Sequence, residues 1–107
     1  MIAVIFEVKI TEGKQEEYLR IAAQLREHLL NVDGFISIER FSSLSEDGKL
    51  CSLSFWEDEA SINQWREFDL HRLAQEQGKA GIFADFRIRV AKVVRDYAME
   101  DRREAPE

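Results

Sequence analysis

FWEDEASINQWREFDLHRLAQEQGKAGIFADFRIRVAKVVRDY, residues 55–97, decides the fold of this chain. It opens on the end of a strand closed by Trp56. Asp58 stands where it can cap a short helix over 59–67, in which Ile62 and Trp65, three apart, share the inner face. Asp69 can cap a second short helix, with His71 near its start. There Leu70, Leu73, Ala74 and Gln77 share a face, and Gly78 closes it. Residues 83–97 then alternate with the period of a strand, Phe86, Ile88 and Val90 on one side. Arg87, Arg89, Ala91, Val93, Arg95 and Tyr97 occupy the other side.

The preceding half repeats the strand–helix–strand order. Residues 2–10 alternate Ile2, Val4, Phe6, Val8 and Ile10 against Ala3, Ile5, Glu7 and Lys9, which predicts a strand. Thr11 is placed to cap the helix that follows. Over 14–31, Tyr18, Ile21, Ala22, Leu25 and Leu29 fall on one helical stripe, and Asp33-Gly34 ends it. Residues 35–44 and 50–56 read as a hairpin around an Asp-Gly turn at Asp47-Gly48. The whole is α+β in the order β-α-β-β-α-β, with the second helix split, the ferredoxin-like arrangement. Residues 1–97 form one domain, and the charged, aperiodic tail 98–107 is expected to be disordered.

Composition narrows the function. A chain of 107 residues makes one domain with one modest core. Its net charge is −6, with Lys and Arg scattered among acids, which argues against nucleic acid. No apolar run approaches the roughly 20 residues that span a bilayer, and MIAVIFEVKI reads as a strand instead of a leader. The lone Cys51 cannot form an internal disulfide and points to a reducing, cytoplasmic setting. The side of the sheet bearing Ala3, Ile5, Ala91 and Val93 is too apolar to face water, so a twofold homodimer pairing two such faces is expected.

The order Phe55-Trp56-Glu57, then Trp65, then His71, then the strand Arg87-Ile88-Arg89-Val90 resembles the antibiotic biosynthesis monooxygenase (ABM) family. The likeness runs from Ile5 to about Tyr97. It implies a dimeric α+β barrel and a cofactor-independent monooxygenase acting with dioxygen on a small electron-rich aromatic, a quinol or polyphenol. It also implies the site residues. Trp65 would wall a cavity and hold a flat substrate. His71 would take a proton from a phenol. Arg87 would stabilise the anion that forms, and Arg89 would help bind it. Bland readings stand beside these: Trp65 as core filling, His71 as a local helix-start partner, the arginines as ion-paired or interfacial. Trp56 reads as core and His28 as solvated, and Asn63, two residues from Trp65, points elsewhere.

Three other chemistries lack their residues. Two distant histidines and one cysteine do not suggest a metal site. The haem-degrading branch of the family uses a first-strand asparagine and a histidine ten residues after the tryptophan. Here Phe6 or Glu7 and Gln75 occupy those positions. There is no Gly-rich phosphate loop for a flavin or nicotinamide. A non-catalytic ligand-binding dimer, or haem binding without ring cleavage, are the alternatives.

Overall fold

The computed structural model describes residues 1–65 and 81–106. Four strands, Ile2–Ile10 (β1), Phe35–Ser42 (β2), Lys49–Trp56 (β3) and Phe83–Lys92 (β4), form one antiparallel sheet in the order β2-β3-β1-β4. The helix Gln15–Leu29 (α1) carries the chain from β1 across β3 to the edge strand β2. A helical segment at 59–65 follows β3. The ferredoxin-like order read from the sequence is the observed one. No described helix is long and apolar enough to cross a membrane.

Period and burial agree closely in α1. Tyr18, Ile21, Ala22, Leu25 and Leu29 are all buried, as their spacing requires. Glu16 and Glu17 in the first turn and Arg26 and His28 in the last complement the helix dipole. The stripe packs on the sheet face formed by alternate residues of each strand, which include Val8 and Ile10 of β1 and Leu50 and Trp56 of β3. Each such aliphatic side chain contributes about 1.5–3 kcal/mol when fully buried.

The core is in two parts. Val8, Ile10, Tyr18, Ile21, Ala22, Leu25, Leu50 and Ile82 form one; Leu29, Trp56 and Ile62 form the other. Trp65 packs against both. Its helical segment starts where Asp58 Oδ1 accepts the Ser61 N–H at 2.9 Å and the Ser61 hydroxyl at 2.8 Å, the cap expected at this residue. These two bonds hold the Asp58 carboxyl below its ordinary pKa.

Two local expectations give way. Thr11 does not cap α1. Two residues, Glu12 and the positive-φ Gly13, intervene before the cap position at Lys14, which has no side-chain cap bond. The Thr11 hydroxyl instead donates to the Gly81 carbonyl at 2.5 Å, tying the start of α1 to the chain entering β4. The last strand stops at Lys92, short of the expected 97. Its neighbour β1 begins at Ile2, and the Val93 N–H meets the Met1 carbonyl at 3.0 Å, so no partner strand remains beyond it. In the charged tail, Ala98 and Asp101 bridge, and Asp101 pairs with Arg103 at 2.7 Å. The second short helix expected after Asp69 lies outside the described residues.

Gly34 fixes the turn between α1 and β2. Its φ is 88°, and a Cβ built there would lie 1.9 Å from Ser61 Oγ. Its carbonyl also accepts the Glu57 N–H at 2.8 Å. Gly13 shares the positive φ, at 83°, but has open space around it. Gly13→Ala is therefore expected to lose only the left-handed strain, about 1–2 kcal/mol. Gly34→Ala adds the clash and is expected to lose about 1–3 kcal/mol more. Urea unfolding of the two variants side by side checks the difference.

Candidate active site

A cavity of about 250 Å³ lies between α1, the 59–65 segment and the sheet. Its floor is two rows of side chains running across four strands. The first row is Arg40, Ser52, Phe6 and Ile88; the second is Ile38, Ser54, Val4 and Val90. Tyr18, Ala22, Leu25 and Leu29 of α1 form one wall, and Trp56, Ile62 and Trp65 line the rest of a space that stays partly open. The space exists because β3 alternates Leu50, Ser52, Ser54 and Trp56 inward. Two small side chains sit between two large ones, and α1 spans the gap instead of filling it.

The lining is mostly apolar; Arg40, Ser52 and Ser54 place polar groups on the β2–β3 side, and Tyr18 of α1 also lines the space. Ser52 and Ser54 are both buried. The Trp56 indole N–H donates to Ser54 Oγ at 2.9 Å in a buried bond, which leaves the Ser54 hydroxyl proton to donate elsewhere. Trp56 is only 1% exposed, and Phe35 meets its ring edge-on at 5.3 Å. Arg40 faces the cavity from the edge strand, with Nε buried and without a hydrogen-bond partner.

The residues expected from the sequence separate here. Trp65 is half-buried and lines the cavity. Trp56 is core, as read, and also closes one end of the space. Arg87 and Arg89 stand opposite Glu7 and Ile5 of β1, on the face turned away from the helices. They line a separate, shallow, charged groove with Glu7, Lys9, Glu46, Lys49 and Asp85. Arg89 pairs with Glu7 at 3.4 Å, and Lys49 reaches the same carboxylate at 3.8 Å. Within one chain these arginines and Trp65 do not share a cavity. His71 lies outside the described residues. Asn63 and His28 are exposed. Arg40 was not anticipated, although its place two residues after Ile38, opposite the inward Ser52, marks it in retrospect.

Cys51 lies on the outer face, across from Glu7 and Phe41. Burial and then the Glu7 charge raise its pKa, so it is a protonated thiol at neutral pH and a poor nucleophile. Among the described residues no group of three His, Cys, Asp or Glu side chains could hold a metal ion.

The family model for antibiotic biosynthesis monooxygenase matches residues 1–77. The chain belongs to the ABM family. It is 46% identical over 93 residues to a Pyricularia oryzae protein named jasmonate monooxygenase ABM, covering 87% of this chain and 43% of that one. It is 32% identical over 68 residues to YqjZ of Bacillus subtilis, an uncharacterised protein, covering 64% and 58% respectively. The chain thus spans about half the length of these relatives. A crystal structure from Deinococcus radiodurans assigned to the ABM family superposes with a TM-score of 0.79 at 9% identity, covering 92% of this chain and 98% of that one. That likeness is one of fold.

In this ABM chain Ser54→Ala strands the buried Trp56 indole N–H. A loss of about 1–3 kcal/mol is expected. Ser54→Thr, which keeps the acceptor, should lose less, and urea unfolding of both variants measures it.

Proposed function

We propose that this ABM chain is a monooxygenase domain that oxidises a small, largely apolar organic molecule held in the cavity beside Trp65, without a bound cofactor. The observation that carries the proposal is the cavity itself: walled by α1 and an indole, apolar over most of its lining, and furnished with a guanidinium and two hydroxyls at one side. Such a site lowers the exposure of a reactive anion to water and strengthens the charge interactions inside it. The named activity of the Pyricularia relative supports oxygenation as the reaction class.

The substrate is of the phenol or quinol type. It is deprotonated in the site, and its own electrons reduce dioxygen. One ring C–H and one O–H hydrogen are lost, one oxygen atom enters the ring to give a quinone, and the second oxygen leaves with those hydrogens as water. Trp65 stacks on the ring. His71 takes the proton, a role that rests on the family pattern. The anion-stabilising role expected of Arg87 and Arg89 passes to Arg40, because those two leave the sheet on its other side. A reducing, cytoplasmic setting belongs to the same proposal and rests on the single Cys51.

Oxygen uptake with a panel of hydroquinones and polyphenols, with product masses recorded, tests this. Uptake with at least one member, reduced about tenfold or more in Trp65→Ala, is the expected result. No uptake above buffer, with ligands still raising the melting temperature, would instead establish a non-catalytic binding module. A Soret band on haemin titration without turnover would point to haem.

A homodimer is part of the proposal. Both described helical pieces lie on one side of the sheet, so the other side presents Ile5, Leu53 and Phe55, half-buried, and Phe41, 46% exposed. Pairing two such faces removes this apolar surface from water. Sedimentation is expected to give twice the chain mass of 12.5 kDa, and Leu53→Glu to shift it to the monomer. A wild-type monomer at micromolar concentration would rule the pairing out.

A further inference from the structure

We propose that Arg40 anchors a carboxylate, so that the phenolic substrate proposed for the cavity also carries an acid group on an otherwise apolar body; this rests on the cavity being the ligand site. A guanidinium is always charged and carries five donors in a planar fork that matches a carboxylate bidentately. Arginines with buried donors are ordinarily satisfied by a protein acceptor, because an unpaired polar group out of water is costly. Here Arg40 lines the cavity, and its Nε is buried with no hydrogen-bond partner.

Nor, among the described residues, does a carboxylate pair with Arg40. Among the described residues the ion pairs use Lys9, Lys14, Lys49, Arg89 and Arg103, and none involves Arg40. Its chain neighbour Glu39 pairs in register with Leu53 and so belongs to the opposite face. The donors beside Arg40 have the sign an anion requires. Ser52 stands directly across the β2–β3 pair, and Ser54, two residues on, has a hydroxyl proton not used by Trp56. One corner of the cavity therefore offers a cation and two hydroxyls, while Val4, Leu25, Ile62 and Val90 elsewhere offer only apolar surface. That division fits a ligand with a charged head and an uncharged body. A lone phenolate oxygen would use one prong of the fork; a carboxylate uses both.

The test compares 4-phenylbutanoate, cinnamate and octanoate with their methyl esters. Binding is followed by tryptophan fluorescence on the full chain and on its Arg40→Met and Arg40→Lys variants. The wild type is expected to bind at least one acid about tenfold or more tightly than its ester. Arg40→Met should erase that preference while keeping ester affinity, and Arg40→Lys should keep part of it. Without ligand, Arg40→Met should melt at the same temperature or higher, because the unpaired N–H is gone. An arginine serving only the fold would lower the melting temperature and weaken acid and ester together, which would overturn the assignment. Equal binding of acid and ester by the wild type, or a preference that survives in Arg40→Met, would also overturn it. Binding of the esters with no added affinity for the acids would leave the cavity as the ligand site. Failure of every acid and ester to bind would remove the cavity reading and this one together.

Discussion

The inward side of β3 runs large, small, small, large: Leu50, Ser52, Ser54, Trp56. This pattern governs the interior. A central strand normally lines a core with continuous aliphatic bulk, and α1 would then settle onto it. Here the helix is held off at both ends, by Leu50 within one hydrophobic group and by Trp56 within the other. The middle stays open, and Trp65 leans on both groups at its margin. The two serines are tolerable in such a place because a hydroxyl is small and one of them is bonded to the Trp56 indole.

Most of the architecture could be read from alternation and helical spacing. The α1 stripe, the inward Ile62–Trp65 pair and the Asp58 cap follow from local rules that tertiary contacts did not override. Boundaries were less legible where they depended on a neighbour. The last strand reads as continuous to Tyr97 because nothing in its own composition stops it; the start of β1 does. Thr11 carries the right side chain for a cap, but the positive-φ glycine beside it moves the helix start beyond reach.

The candidate site was legible in part. Trp65 is where helical periodicity places it. Arg40 was hidden by a shift in pairing register between Phe35 and Ser37. Strict alternation from Phe35 would send Arg40 outward. The irregularity lets Phe35 and Ile38 both face the core, and Arg40 follows Ile38 inward. Arg87 and Arg89 show the converse. Their alternation with Phe86, Ile88 and Val90 already set them apart from the apolar side, and family likeness alone suggested a role beside Trp65. Where a resemblance and a simple period disagree about direction, the pleat of the strand decides.

The contact between Gly34 and Ser61 joins two segments far apart along the chain. The turn leaving α1 touches the first residues of the helix that presents Trp65, and the Glu57–Gly34 bond fastens the same junction. Position 34 therefore takes a side chain only by displacing Ser61 from its present place and cap bond. The two positions constitute a single inherited choice: among related chains, a bulkier residue at one should be accompanied by a relocated backbone at the other. The indole's placement relative to α1 then hangs on two positions, neither of which lines the ligand space.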